Sequence, residues 1–275
     1  MTTGGIEIDT GTDQLRCVVR EGVAVITLNR PEARNAMSDQ LTPALRRMIK
    51  ERGDDARVGA LLITGAGTAF CAGGDVKGMG DNSAKNDMSL DARIADLKVR
   101  QRTLTGALIA VRKPTIAALP GAAAGAGLAI ALACDIRIAA QSAFVSAGYA
   151  RVGLSGDYGI AWLLTRAVGS AIAREMMFTS GRVEAARAER IGLFNRVVPD
   201  ECLQADAFAL ARSLAEGPRI ALCSMKDNLD DALTIDFATA LDREAERLVL
   251  ATRTADHKEA VRAFVEKRKP VFSGR

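Results

Sequence analysis

Two short runs rich in β-branched and aliphatic residues, Leu15–Val19 and Val23–Leu28, are separated by Arg20-Glu21-Gly22, a pattern that predicts a hairpin at the start of the fold. Asn29-Arg30-Pro31 ends it. Beyond Ser38, an N-cap residue type, Leu41, Leu45, Met48 and Ile49 recur at helical spacing until Gly53. Val58–Thr64 reads as a buried strand, and the glycine-rich passage 65–74 leads toward a short helix expected at Val76–Met79. The polar stretch Asn82–Ser89 reads as a loop. Ala92–Val111 returns to the helical period, Pro114 opens a second apolar strand, and Gly121–Gly127 forms a small-residue turn before a short helix at Leu128–Ala133 and a strand at Asp135–Ala140. Strand, loop and helix have been used twice, which predicts an α/β sheet. From Ile160 onward the chain turns mainly helical, with helical stretches at 171–178, 184–191, 200–215, 219–229 and 234–266.

Composition narrows the classes of function. The chain has 275 residues, 48% of them hydrophobic, which is enough to build a large core. Its net charge is only +4 and aromatics make up 4%, so neither a basic stripe nor a stacking platform for nucleic acid stands out. Cys17, Cys71, Cys134, Cys202 and Cys223 form no CxxC pair and His257 is the sole imidazole, which argues against a zinc site or a disulfide framework, so no metal is expected. The first dozen residues lack a basic region followed by an apolar run. The apolar stretch Thr115–Ala133 is interrupted by Pro120, Gly121, Gly125 and Gly127 and does not read as a membrane span. A cytoplasmic location is expected.

The candidate chemistry lies in two loops. Phe70-Cys71-Ala72-Gly73-Gly74-Asp75 and Gly121-Ala122-Ala123-Ala124-Gly125-Ala126-Gly127 each place small residues between a strand and a helix, where backbone N–H groups can point into a pocket. Two such donors can hold the oxyanion formed from a thioester carbonyl. Tight packing alone also explains small-residue turns. No Walker or GxGxxG spacing is present, which disfavours nucleotide phosphate binding and a nicotinamide-dependent dehydrogenase.

Taken in order, Leu28-Asn29-Arg30-Pro31, the run Ala69–Asp75, Lys113-Pro114 through Gly121, Cys134-Asp135 and the run Phe264–Lys269 resemble the landmarks of the crotonase (enoyl-CoA hydratase/isomerase) superfamily. The resemblance extends from about Leu15 to Phe272. It implies an α/β crotonase-like fold of repeated β/β/α units over residues 1–200, with a C-terminal helical region over 201–275 that serves oligomerisation and the CoA site. It further implies a trimer or a dimer of trimers, and no permanently bound cofactor, coenzyme A arriving as part of the substrate thioester. By resemblance, the oxyanion donors are the N–H groups of Ala72 and Ala126, and Ala72, Gly73, Gly74 and Asp75 line the thioester region. Arg30 and Arg34 fall in the CoA-proximal loop, and Lys267 matches a lysine that reaches CoA from the C-terminal helices, often of a neighbouring subunit. Phe264 would cover the acyl or adenine region.

Here the chain departs from the family's hydratases, whose two glutamates correspond to Ala129 and to Gly148-Tyr149. The stretch Val152–Gly159 resembles the active-site stretch of crotonase members, dienoyl-CoA isomerases and aryl-CoA dehalogenases among them, that place an aspartate at this point, which implies Asp157 as the candidate acid/base, with Tyr149 beside the substrate. A helix cap or first-turn carboxylate is the plainer explanation of a Gly-Asp pair before Ile160. One carboxylate suits double-bond isomerisation, in which a proton leaves one carbon and returns to another. Hydration of a 2-enoyl thioester in fatty-acid-type degradation and a non-catalytic acyl-CoA-binding role stay open as alternatives. Cys71 reads as a packing thiol, His257 as part of a solvated face, Trp162 as core, and Tyr158 as a possible wall of the acyl pocket.

Overall fold

The computed structural model describes residues 4–75 and 88–275. The helix expected at Val76–Met79 and the segment 82–87 lie outside the described residues. The hairpin forms as expected: β2 (Leu15–Arg20) pairs antiparallel with β3 (Val23–Leu28), with β1 (Ile6–Ile8) added on the outer edge. Helix α1 (Leu41–Asp54) follows, and Ser38 caps it through its Oγ, which accepts the Leu41 N–H at 3.0 Å. Strands β4 (Ala60–Gly65) and β6 (Thr115–Leu119) are buried along their whole length. They sit parallel in the middle of a sheet ordered β1-β2-β3-β4-β6-β8-β11, with β8 at Ile136–Ala140 and β11 at Arg196–Val198. Continuous apolar runs are what a strand covered on both faces requires.

A second, smaller sheet was not foreseen. It is ordered β10-β9-β7-β5, from β5 (Ala69–Cys71), β7 (Ala122–Ala124), β9 (Phe144–Ser146) and β10 (Val183–Glu184). Three alanines carry little strand propensity, so Ala122–Ala124 looked like a turn; small side chains are needed there because β7 lies between β5 and β9. Each large-sheet strand of the set β4, β6 and β8 is followed by a small-sheet strand, which gives the repeated β/β unit. Helix α2 (Leu90–Gln101) passes through a π-helical turn at Arg102–Gly106 into α3 (Ala107–Ala110), covering the helical stretch expected at 92–111.

The helix after β7 is α4 (Ala126–Leu132), two residues earlier than expected. Helix α5 (Ile160–Thr179) is broken at Gly169, whose φ of 76° and ψ of 164° leave the helical region. Then come α6 (Ala185–Arg190) and α7 (Leu203–Ala215). Helix α7 lays Ala207 and Ala211 on the large sheet, fully buried. The change in packing therefore falls after Ala215 rather than at residue 200. Helices α8 (Arg219–Asp231) and α9 (Phe237–Thr252) bury no residue within the chain, and α10 (Ala255–Val265) buries Asp256 and Ala263. Thr254 separates the last two by capping α10, its Oγ1 accepting the His257 N–H at 3.0 Å. Among the described residues, no helix is long and apolar enough to cross a membrane.

Candidate active site

Strands β5, β7 and β9 run parallel, so their C-terminal ends open on one edge of the small sheet. The chain leaves these ends as three loops: 72–75, 125–126 and 147–159. Loops at the carboxyl ends of parallel strands are where α/β folds assemble sites. The loops touch because glycines let backbone meet backbone. A Cβ on Gly73 would fall 2.7 Å from the Ala124 carbonyl oxygen and 3.6 Å from the Ala126 nitrogen. One on Gly127 would fall 2.2 Å from the Cys71 carbonyl oxygen.

The first loop corrects one expected donor. The Ala72 N–H donates to the Arg34 carbonyl at 3.0 Å and is committed inside the protein. The Met37 N–H reaches across to the Gly73 carbonyl at 2.8 Å in a parallel bridge centred on Gly74, and in that geometry Gly74 turns its own N–H away from Met37. Among the described residues, nothing accepts the N–H of Gly74 or that of Ala126, the first residue of α4. The Ala72 N–H expected as a donor to substrate is therefore used inside the protein, while those of Gly74 and Ala126 are not.

Asn35 holds this loop in shape and was missed in the sequence. Its side chain is fully buried, accepts the Arg30 N–H at 2.8 Å, and donates to the carbonyls of Ala66 and Ala69 at 2.9 and 2.8 Å. The signal in the sequence was the asparagine itself, a residue that tolerates the left-handed region: φ is 55° at Asn35, after 51° at Arg34. Arg30 spends its guanidinium on the Ala36 carbonyl at 2.7 Å and on Asp75 at 3.3 Å. Both residues were expected to meet CoA; the fold pairs them with each other. Arg34 contributes its carbonyl, as described.

The third loop brings Asp157 to the second. Asp157 is not the cap of α5, which starts after Gly159 with no side-chain cap. Its Oδ1 instead accepts the Tyr149 phenol at 2.5 Å. The Tyr149 ring is buried and lies against Gly125, where an added Cβ would sit 3.7 Å from Cζ and 3.8 Å from the hydroxyl. Gly125, Ala126, Tyr149 and Asp157 thus form one cluster. Burial raises the Asp157 carboxyl above its ordinary range, and the Tyr149 hydrogen bond pulls the other way. Burial first, then the Asp157 charge, raise the Tyr149 phenol well beyond its usual range, so it remains protonated. Tyr158, also buried, follows Asp157 in the chain.

Other expected residues fall elsewhere. Trp162 is not core: it is 47% exposed with the Arg166 guanidinium 3.6 Å from its ring centre. An amphipathic aromatic at the start of a helix was read as packing when its ring is a platform for a cation. Phe264 is 85% exposed at the end of α10, and Lys267 follows it with φ of 53°; among the described residues of this chain neither is joined to the Asp157 cluster. His257 is exposed at the start of α10. The Cys71 thiol is buried, which pushes it up to about 11 and fits a packing role.

Residues 19–275 match the family model for enoyl-CoA hydratase/isomerase. The chain belongs to this family of acyl-CoA enzymes. It is 38% identical over 259 residues to 1,2-epoxyphenylacetyl-CoA isomerase of Escherichia coli strain K12, covering 94% of this chain and 97% of that one. It is 35% identical over 255 residues to the short-chain-enoyl-CoA hydratase of Clostridium acetobutylicum, covering 91% and 94%. Among solved structures, enoyl-CoA hydratase from Bacillus anthracis superposes with a TM-score of 0.87 at 29% identity, covering 95% of this chain and 100% of that one.

Proposed function

We propose that this chain shifts a double bond within an enoyl-CoA thioester, with Asp157 as the single acid/base and the N–H groups of Gly74 and Ala126 as the oxyanion donors. The observation that carries the reading is the Tyr149–Asp157 pair: a carboxylate bonded to a phenol beside Gly125, in a chain with alanine at 129 and tyrosine at 149 where a second carboxylate would share the work of adding water. The thioester carbonyl accepts from the two N–H groups, which lowers the cost of an enolate. Asp157 takes a proton from one carbon of the enoyl thioester, leaving the extended enolate, and returns that proton to another carbon. Burial raises the affinity of this carboxylate for a proton, which makes it a stronger base than an exposed aspartate once ionised. The E. coli relative is named as an isomerase of an epoxide CoA thioester, which supports isomerisation of an acyl-CoA as the broad class and not the double-bond shift itself.

The nucleotide end of CoA is anionic and would be met by Arg34 and by Lys267, the latter from a neighbouring subunit together with Phe264. Leu229, Phe237, Leu248, Leu250 and Phe264 are exposed on helices that bury almost nothing within the chain, which supports a trimer or dimer of trimers. The test of the reaction is Asp157→Asn, assayed on 3-enoyl- and 2-enoyl-CoA thioesters with mass spectrometry to separate isomerisation from water addition. The rate should fall by about 10²- to 10⁴-fold while acyl-CoA affinity changes little. A near-normal rate in Asp157→Asn removes Asp157 from the chemistry; a wild-type product heavier by one water makes the chain a hydratase; tight binding without turnover makes it a binding protein.

A further inference from the structure

Tyr149 occupies an unusual place for a residue read as part of a substrate wall. Backbone bonds fix the turn that carries it: its carbonyl accepts the Leu154 N–H at 3.0 Å, and the next residue's N–H donates to the buried Ser180 Oγ at 3.2 Å. From that turn the phenol extends between Gly125, one residue before a proposed oxyanion donor, and the carboxylate of Asp157. The ring is buried, and the absence of a side chain at Gly125 leaves room for it beside the second loop. Because Oδ1 of Asp157 is bonded to the phenol, the carboxylate has one oxygen held and one left for chemistry.

We propose that Tyr149 is a positioning residue of the reaction, its phenol tying one oxygen of Asp157 so that the other is aimed at the substrate carbon held over the second loop. This rests on Asp157 being the base. The phenol is the donor in this pair, and burial with the Asp157 charge beside it keeps its proton in place. A donor on the carboxylate favours its charged form and offsets part of the cost of burial. Among the described residues, the other titratable group beside Asp157 is Tyr158, which lies within the electrostatic reach of Arg46, Arg100 and Asp96. None of these is hydrogen-bonded to Asp157 among the described residues.

The experiment compares Tyr149→Phe with Asp157→Asn, measuring kcat and KM for a 3-enoyl-CoA thioester from pH 5 to 9, as on the order of any enzyme pH profile. Phenylalanine keeps the buried ring and removes the donor. The expected result for Tyr149→Phe is a kcat lower by about 10²-fold with KM within about threefold, as for a misaimed group. Its acid limb should also move to higher pH, because burial then acts on Asp157 unopposed. Unchanged kcat and acid limb in Tyr149→Phe, with Asp157→Asn inactive, overturn the role of Tyr149 and leave Asp157 standing. A rise in KM alone makes Tyr149 a pocket wall and also overturns it. If Asp157→Asn keeps its rate, the base assignment falls and this inference falls with it. A second measurement covers a Tyr149→Phe chain that does not fold. The chain has two tyrosines, so ¹³C-tyrosine labelling gives two ring resonances, assigned with Tyr158→Phe. The Tyr149 signal should follow the titration of Asp157 and lose that response in Asp157→Asn; a signal indifferent to Asp157 refutes the contact.

Discussion

Gly127→Ala places a methyl group inside helix α4, where alanine is by propensity the better residue by about 1 kcal/mol. Geometry predicts the opposite sign. The added Cβ would lie 2.2 Å from the Cys71 carbonyl oxygen, 2.7 Å from its Cβ and 2.8 Å from its carbonyl carbon, all below the 3.0 Å that real Cβ contacts respect. Two of these atoms are backbone of β5 and its exit, so neither can swing aside as a flexible side chain does. Strand or helix has to yield by about 0.8 Å to reach 3.0 Å, and overpacking of this kind costs about 1–3 kcal/mol. For a chain of this size that corresponds to a fall in Tm of roughly 2–10 °C. Ala126 is the neighbouring residue, so its N–H moves with the clash, and a displacement near 1 Å at a catalytic group costs about 10²-fold in rate. The control is Gly106→Ala, another helical glycine, whose added Cβ meets its nearest atom at 3.6 Å. That variant should keep its rate and gain up to about 1 kcal/mol. Melting curves and kcat on both variants decide the matter: a Gly127→Ala protein as stable and as fast as Gly106→Ala refutes the loop-to-loop contact.

Asp157→Asn should also raise Tm near neutral pH. The folded-state pKa of Asp157 is raised by burial, so the wild type is favoured while the group is protonated and loses stability as pH rises from the unfolded value through the folded one. Asparagine has no charge to bury, so its advantage should appear above the ordinary aspartate range and vanish in acid; an Asp157→Asn protein less stable at neutral pH would count against a buried, function-bearing carboxylate. Thiol labelling of the native protein should spare Cys17, Cys71 and Cys134, whose thiols burial pushes up to about 11, about 11 and about 12, while Cys71→Ala keeps turnover within about threefold. Rapid alkylation of Cys71 detected by peptide mapping would return it to the list of reactive groups. Glu259 accepts from Arg262, Arg268 and the Val271 N–H and is held down at about 2, so the C-terminal tail should stay docked through mild acid. In Glu259→Gln, tryptic cleavage at Lys267–Lys269 should quicken, and an unchanged cleavage rate would show that the tail is held by other contacts.

What could be read from the chain was what local pattern specifies. The hairpin, α1, β4, β6 and β8 announce themselves by periodicity and by β-branched runs, and the two glycine-rich loops by their composition. The small sheet was not legible, because Ala122–Ala124 and Phe144–Ser146 are short strands that exist through their neighbours: Ala123 pairs with Cys71 on one side and Val145 on the other. Without that sheet, the meeting of Gly125, Tyr149 and Asp157 cannot be deduced, since it depends on three strands ending at one edge. Donor assignment within the first loop failed for a related reason. Ala72 and Gly74 look equally free along the chain, and only the return of Arg34 and Met37 onto that loop decides which N–H is used inside the protein.

The same arrangement explains how one scaffold carries chemistry that differs between relatives named as isomerase and as hydratase. Both proposed oxyanion donors are backbone groups, held by carbonyl-to-Cα approaches at Gly73 and Gly127 and by the buried Asn35, none of which depends on a reacting side chain. The acid/base group sits on the third loop, whose turns are set by Gly148, Gly153, Gly156 and Gly159, all at positive φ, and by bonds to Ser180. Side chains on such a loop can be exchanged while the backbone donors remain where the small sheet puts them. This chain has alanine at 129 and pairs Tyr149 with Asp157, and the proposed reaction accordingly uses one proton acceptor where two would divide the handling of water. On the proposed reading, specific chemistry is a property of residues 149 and 157, and thioester activation a property of the fold beneath them.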